Sequence, residues 1–196
     1  MRFRAQFATA ALSMALVGGL TAAATTTAQA RPTDSTATSA AAAKYYLKFD
    51  KSTVTNSRLY LMKSVSGPDK VIKKYKAGSG VSTNTCASLK GWLPNGDYKI
   101  RFHQKNYPGS KIHGYVIRIS DKKCHNGTKR DELFIHSEMT RNGGQGRAES
   151  ERWTNSNPND YYSNGCIKLN PANIKNLFAK VDSLGWSKLA KLKVVS

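Results

Sequence analysis

Short segments rich in Tyr, Val, Ile and Phe recur from residue 45 onward, and clusters of Gly, Pro, Asn, Asp and Ser separate them. Apolar and polar residues alternate most clearly in 98–102 and 116–119, which is typical of strands with one buried face. Turn-forming sequences such as 66–69 (SGPD) and 94–97 (PNGD) lie between the segments. The pattern predicts a mainly β domain. The predicted strands are 45–49, 58–63, 71–75, 98–103, 115–119, 133–136 and about 188–195.

One helix is predicted after residue 170. Asn170 is a good N-cap, Pro171 fits the first helical position, and Gly185 is a typical stop. The apolar residues between them recur at helical spacing, and they are Ile174, Leu177, Phe178, Val181 and Leu184. We expect this stripe to pack on the sheet and thereby to fix the segment before the helix, which contains Cys166.

The start of the chain has the features of an export signal. Two arginines precede an apolar run, and residues 28–30 (AQA) match the small-x-small pattern of a signal-peptidase site, so a signal peptide is predicted over 1–30. Residues 31–43, rich in Ala, Thr and Ser, are predicted to be a flexible leader. Residues 44–196 are long enough for a single domain. We expect export without membrane insertion after the signal is removed.

The chain contains three cysteines, Cys86, Cys124 and Cys166. Because the count is odd, at least one thiol of an exported protein cannot pair within the chain. A disulfide between Cys86 and Cys124 is a candidate structural cross-link, which would leave Cys166 free. The cysteines and the four histidines lack the short paired spacing of zinc sites, so we expect neither a metal nor a cofactor.

Two segments carry the residue types that a thiol nucleophile needs, 134–137 (FIHS) and 163–169 (SNGCIKL). A thiolate attacks carbonyl groups far better than a thiol, so a cysteine enzyme places an imidazole where it can take the proton. Histidine suits that task because its pKa lies near neutral pH. Gly165 lets the backbone turn tightly beside Cys166 and directs N–H groups at a developing oxyanion.

A histidine at a strand end, followed downstream by Ser-x-Gly-Cys-Ile-Lys-Leu, resembles the active-site signature of the L,D-transpeptidase (YkuD-like) family. Residues 90–98 (KGWLPNGDY) resemble the Thr-Pro-x-Gly-x-Tyr turn that lies upstream in that family. The resemblance implies a β-sandwich-like catalytic domain with one helix after the catalytic cysteine. It also implies a cell-wall enzyme that attacks peptidoglycan stem peptides through a thioester. An amine acceptor then gives a cross-link, and water gives a trimmed stem.

The same resemblance implies roles for individual residues. Cys166 is the nucleophile and His136 is the general base. Ser163 supports the turn, and the backbone around Gly165 and Cys166 forms the oxyanion hole. Two positions depart from the family pattern: Asn164 replaces a histidine, and Lys168 replaces an arginine. Asn can still donate a hydrogen bond, and Lys keeps the charge without the bidentate geometry of Arg.

The segment from residue 137 to residue 162 is longer than is usual in the family and is predicted to be an irregular flap over the site. Its aromatic residues are expected to stack on the substrate, and its charged residues to pair with it. The candidate substrate-binding residues are Ser137, Arg141, Trp153, Tyr162 and Lys168.

The chain is strongly basic, with 31 Lys and Arg against 12 Asp and Glu and a formal net charge of +19. The basic residues are scattered and the chain carries an export signal, so no nucleic-acid partner is expected. Anionic polymers of a bacterial wall suit the charge better. A basic surface that only maintains solubility is the alternative.

Other interpretations remain open at this stage. In one of them, Cys166 is an ordinary buried cysteine. In another, His113, which precedes Gly114, competes with His136 for the role of base. A catalytically inactive, basic wall-binding module is the main alternative function. A secreted toxin with the same chemistry is a weaker one.

Overall fold

The computed structural model describes residues 44–154 and 156–196, and the predicted signal peptide and leader lie outside them. No helix among these residues is long and apolar enough to cross a membrane. The strands are β1 (Tyr45–Asp50), β2 (Ser57–Lys63), β3 (Lys70–Ser79), β4 (Gly96–Pro108), β5 (His113–Ile119), β6 (Lys122–Lys123), β7 (Lys129–Arg130), β8 (Phe134–His136), β9 (Ile167–Lys168) and β10 (Leu189–Val195). The α-helix of this part of the chain is α1 (Pro171–Leu184), and 3₁₀ turns cover Glu149–Glu151, Pro158–Tyr161 and Trp186–Lys188.

Eight strands close into a barrel in the order β1-β10-β4-β5-β8-β9-β3-β2, and β6 pairs with β7 in a separate hairpin. The barrel has two halves that share the long strands β3 and β4. One half is β3-β2-β1-β10-β4, and the other is β4-β5-β8-β9-β3. The prediction of a mainly β, sandwich-like domain with one helix after Cys166 is confirmed.

Alternation along the strands builds the core. Leu47 and Phe49 of β1 and Leu59 and Leu61 of β2 are fully buried, while the residues between them face outward. Each such side chain contributes roughly 1.5–3 kcal/mol on burial. Four apolar residues of α1 join the same core, namely Ile174, Leu177, Phe178 and Val181.

The helix begins and ends where its local signals predict. The Asn170 side chain accepts a hydrogen bond from the backbone N–H of Asn173 at 2.7 Å, and Pro171 occupies the first turn. Gly185 ends the helix with a φ of 93°, a value in the left-handed region that glycine adopts most easily. The helix therefore holds the segment before it, including Cys166, against the barrel.

Strands β3 and β4 are longer than the sequence pattern indicates. The predicted strands 71–75 and 98–103 extend to Lys70–Ser79 and Gly96–Pro108. Each long strand pairs with two partners, and this pairing satisfies the backbone groups of turn-like residues at the strand ends. Long-range pairing therefore overrides the local turn propensity at these positions.

Cys86 and Cys124 form a disulfide, with their Cα atoms 5.3 Å apart. The bond joins the loop between β3 and β4 to the β6–β7 hairpin. Cys166 is left as the free cysteine of the chain.

Candidate active site

The pairing of β8 with β9 brings the candidate nucleophile and base to one face of the sheet. The two strands are parallel, with Ile135 opposite Ile167 and His136 opposite Lys168. Both isoleucines are fully buried in the barrel core. Because side chains alternate along a strand, His136, Lys168 and Cys166 lie on the other, outer face. Cys166 and His136 are therefore diagonal neighbours across two adjacent strands.

A groove of about 520 Å³ lies over this face. Cys166, His136 and Lys168 line it, together with Tyr162, Ser163 and Asn164 from the segment before the cysteine. Its volume falls within the range of about 300–1,000 Å³ that is usual for small-molecule sites. The site is thus a shaped, open cleft rather than a sealed position in the core.

Cys166 is largely buried, with 6% of its surface exposed. Its thiol donates to the backbone carbonyl of Glu132 at 3.6 Å, and no hydrogen bond joins it to His136 within the described residues. Burial raises the pKa of Cys166 to about 11, although the positive charges of Arg118, Lys168 and Arg130 partly oppose the shift. The resting nucleophile is therefore a thiol.

His136 is held in the tautomer that a general base requires. Its Nδ1 lies 3.1 Å from the carbonyl oxygen of Ser137. Because a carbonyl only accepts hydrogen bonds, Nδ1 carries the proton and Nε2 keeps its lone pair. Burial, with a smaller effect of the Lys168 charge, lowers the pKa of His136 to about 3. The imidazole is thus neutral at the pH of most cells.

Cys166 and His136 together form a neutral thiol and a neutral imidazole, not a preformed thiolate–imidazolium pair. Proton transfer must then accompany attack on the substrate. In free enzymes, catalytic hydrogen bonds are often long and shorten only when substrate binds. The absence of a thiol–imidazole hydrogen bond among the described residues is consistent with that behaviour.

Alkylation of Cys166 by iodoacetamide is expected to accelerate steadily from neutral pH to about pH 10, without a plateau. The thiolate is the reactive form, and its fraction rises about tenfold per pH unit below a raised pKa. Rates are measured by mass spectrometry over a pH series, with glutathione as the reference thiol. A plateau below pH 7 would instead reveal a stable thiolate–imidazolium pair and contradict the neutral resting state.

The turn before Cys166 is held by the hydroxyl of Ser163. This oxygen accepts from the backbone N–H groups of Gly80 at 2.9 Å and Gly165 at 3.1 Å, and it donates to the carbonyl of Cys166 at 2.6 Å. The N–H of Gly165 is therefore not available to an oxyanion. Within the described residues, the N–H groups of Asn164 and Cys166 have no acceptor. These two N–H groups, unlike that of Gly165, are therefore free to donate to an oxyanion.

The fold and the site geometry agree with a comparison to known protein families. A family model of the L,D-transpeptidase catalytic domain (YkuD) matches residues 44–192. The chain belongs to this family. The match covers β1 to β9, α1, the first part of β10 and all the groove residues named above.

Two solved structures are similar to this L,D-transpeptidase-family chain. Bd1075 of Bdellovibrio bacteriovorus has a TM-score of 0.49 and 13% identity over 78% of this chain and 48% of that one. A fused Zn-dependent amidase/peptidase with a peptidoglycan-binding domain, from Clostridium acetobutylicum, has a TM-score of 0.39 and 12% identity over 78% and 52%. The chain spans about half the length of each of these proteins. No curated protein sequence matches it.

Arg130 supports the nucleophile turn of this L,D-transpeptidase domain, a contact that the sequence pattern does not predict. Its guanidinium is buried in β7 and donates to the carbonyl oxygens of Thr85, Gly91 and Trp92. Gly165 packs directly against it with a φ of +112°, and a Cβ there would overlap the guanidinium. Only glycine fits this position, because both the backbone angle and the space exclude a side chain.

Lys168 lines the groove but is not a free cation. Its ammonium group forms a buried ion pair with Oε1 of Glu138. Burial raises the pKa of Glu138, and the hydrogen bond and charge of Lys168 act in the opposite direction. Lys168 was expected to contact substrate in place of the family arginine, whereas the structure gives it an internal partner. The exposed Lys111 lines the groove without a carboxylate within 4 Å among the described residues.

The other candidate substrate contacts are divided between two places. Tyr162 lines the groove. Ser137 is buried beside His136, and its hydroxyl has no hydrogen-bond partner among the described residues. Arg141 donates to the carbonyl of Asn106 at 3.3 Å. Trp153 packs edge-to-face on Tyr161 and lines a separate pocket beside the start of α1. The structure therefore does not bring Ser137, Arg141 or Trp153 to the groove of Cys166.

The backbone of Glu132 is a further feature of the groove that the sequence does not indicate. Its φ is +49°, which is uncommon for a residue other than glycine. This conformation accompanies the contact between its carbonyl and the Cys166 thiol. No residue pattern around position 132 indicates this geometry. His113, the rival of His136, opens β5 opposite Pro108 and does not line the groove.

Proposed function

We propose that the chain is an exported cysteine acyltransferase that acts on the stem peptides of peptidoglycan. The observation that carries the proposal is a free Cys166 in one groove with a neutral, correctly oriented His136. Membership of the L,D-transpeptidase family supports the substrate class. The export signal predicted for residues 1–30 supports a location at the cell wall.

The first half-reaction forms a thioester. Nε2 of His136 takes the thiol proton as Sγ of Cys166 attacks the carbonyl carbon of the L,D peptide bond. The N–H groups of Asn164 and Cys166 donate to the resulting oxyanion. When the intermediate collapses, the C–N bond breaks and the imidazolium returns its proton to the leaving amine. The stem remains attached to sulfur.

The second half-reaction releases the enzyme. An acceptor amine or a water molecule attacks the thioester carbon, and His136 takes the proton that the nucleophile loses. The C–S bond then breaks, and the proton passes to the departing thiolate of Cys166. An amine acceptor gives a cross-link, and water gives a shortened stem. These steps require no metal ion or cofactor.

Intact mass spectrometry tests the proposal. The protein is incubated with a tetrapeptide stem, and we expect one adduct that adds the mass of the stem less the mass of the free terminal amino acid released. Peptide mapping should place that adduct on Cys166. The Cys166→Ala variant is the matched control, because it removes the sulfur and little else. An adduct that persists in this variant, or none on the parent protein, contradicts the catalytic proposal; the second result favours a wall-binding module.

A further inference from the structure

The outer side of the β3-β2-β1-β10-β4 half of the barrel carries a surface that we call the basic face. Its basic and aromatic outward residues include Lys48, Arg58, Tyr60, Lys74, Lys76, Lys99, Lys191 and Lys193, and Tyr46, Asp50 and Asp97 lie on the same side. The residues that alternate with them, such as Leu47, Leu59, Tyr75, Tyr98 and Leu192, are buried in the core. The sheet therefore fixes the direction of each basic side chain.

Like charges lie directly opposite each other on this face at three places. Arg58 is opposite Lys76, Lys48 is opposite Lys193, and Lys99 is opposite Lys191. Directly opposed like charges destabilise a sheet. Opposite charges face each other at only two places on the face, Asp50 with Arg58 and Asp97 with Lys193. The arrangement therefore indicates a surface that meets negative charge from another molecule.

Carboxylates of the chain neutralise only a part of this charge. Lys48 pairs with Asp50 at 3.2 Å, and Lys191 pairs with Asp97 at 2.6 Å. Within the described residues, the other basic side chains of the face have no carboxylate within 4.0 Å, and they are Arg58, Lys74, Lys76, Lys99 and Lys193. Five cations thus remain available across adjacent strands, about 4.8 Å apart from one strand to the next.

The environment of Tyr60, the aromatic residue at the centre of the face, argues against nucleic acid. Lys48 lies over the Tyr60 ring at 5.7 Å, and Lys74 lies over it at 5.8 Å. Proteins that bind single-stranded nucleic acid use open aromatic rings on which bases stack. Because lysines cover the ring of Tyr60, the centre of the face offers charge rather than a stacking platform. A phosphate polymer without bases fits it better.

The basic face and the groove of Cys166 belong to different halves of the barrel. The groove lies over β8 and β9, whereas the face is formed mainly by β2, β1 and β10. A polymer on the face therefore leaves the groove open. Binding there raises the local concentration of the enzyme at any matrix that carries the polymer.

We propose that the basic face binds a linear polyol-phosphate polymer of the kind found in cell walls. The proposal rests on the charge arrangement of the sheet and does not depend on the catalytic role of Cys166. Binding neutralises phosphates with Lys and Arg and releases counterions, so it must weaken as salt rises.

Fluorescence anisotropy with end-labelled poly(glycerol phosphate) and the full-length protein tests the proposal. Replacing Lys74, Lys76 and Lys193 by Gln is expected to weaken binding about 10- to 100-fold at low salt, since each lysine near an anionic surface contributes on the order of 1 kcal/mol. The matched control replaces Lys123, Lys180 and Lys188 by Gln, which removes the same charge from exposed positions outside the face. That variant should bind within about twofold of the parent protein.

Several outcomes overturn the proposal. Equal weakening of the two triple variants shows that only net charge matters, and absence of binding removes the partner altogether. Tighter binding to single-stranded DNA of equal phosphate number would show that the preferred partner is a nucleic acid. Tighter binding to phosphatidylglycerol vesicles would show that it is a lipid surface. The Cys166→Ala variant should bind the polymer as tightly as the parent protein does. The polymer-binding proposal can therefore fail while the catalytic proposal holds, and the catalytic proposal can fail while polymer binding holds.

Discussion

Replacement of His136 by Gln is expected to slow thioester formation on Cys166 by about 10²–10⁴-fold, the usual contribution of a positioned general base. Gln has a similar length, and its amide can still donate to the carbonyl of Ser137, but it cannot take a proton. Since the resting cysteine is a thiol with a pKa of about 11, the reaction depends on that transfer. Quenched-flow mass spectrometry of the Cys166 adduct measures the rate.

His113→Gln is the matched control for this variant. His113 is the alternative candidate for the general base, but it opens β5 and does not line the groove. Its replacement should change the rate by less than about threefold, since surface substitutions away from the chemistry have small effects. A large loss in His113→Gln, or a nearly normal rate in His136→Gln, would assign the base to another residue.

The effect of pH on the His136 variant gives a second measure of the same role. In the parent protein, the neutral imidazole removes the thiol proton in the enzyme–substrate complex, so activity near neutral pH does not require a thiolate in the free enzyme. In His136→Gln, attack must wait for spontaneous ionisation of the thiol. The residual rate should therefore rise steeply with pH, toward the raised pKa of Cys166.

The parts of the fold that depend on neighbouring residues were predictable from the sequence. Helix α1 lies at Pro171–Leu184 because Asn170 caps it, Pro171 suits its first turn and Gly185 ends it. Those are local interactions that one segment contains in full. The ends of β3 and β4 were not predictable, because their turn-like residues become strand only when two partner strands supply hydrogen bonds.

The candidate site divides in the same way. Cys166 and His136 lie in short segments whose residue types indicate a thiol nucleophile and its base. Both residues could therefore be predicted before their positions in the fold were known. Arg130 could not be predicted, because no sequence pattern distinguishes it from the other basic residues of a chain with net charge +19. Its partners are backbone carbonyls of a loop about forty residues away, and no residue type encodes a carbonyl acceptor.

The contact between Lys168 and Glu138 shows that a sequence can indicate a residue of the groove without indicating which group that residue contacts. Lys168 was expected to bind the substrate, and its separation of 30 positions from Glu138 contains no signal of pairing. The parallel pairing of β8 with β9 places Lys168 opposite His136, two residues from Glu138. The ion pair is therefore a consequence of strand register, which the sequence alone did not specify.

Replacement of Lys168 by Met is expected to lower the free energy of unfolding by about 3–5 kcal/mol at pH 7.5, the usual cost of leaving one partner of a buried ion pair uncompensated. Lys168 and Glu138 are each less than a tenth exposed, and Oε2 of Glu138 has no hydrogen-bond partner among the described residues. Without Lys168, the Glu138 carboxylate loses the hydrogen bond and the charge that oppose the cost of its burial. Urea denaturation measures the difference.

The pH dependence of this loss has a defined sign. Removing Lys168 raises the pKa of Glu138 in the folded state further above its ordinary value, so the folded protein binds a proton that the unfolded chain releases above about pH 4.3. Stability of the variant must then fall as pH rises above that value, and its deficit should be smaller at pH 5 than at pH 7.5. The double variant Lys168→Met, Glu138→Leu removes both charges and should recover most of the loss, because apolar replacement of a buried ion pair is often neutral or stabilising. A double variant as unstable as the single one would show that Lys168 stabilises the fold by packing, not by neutralising the carboxylate beside His136.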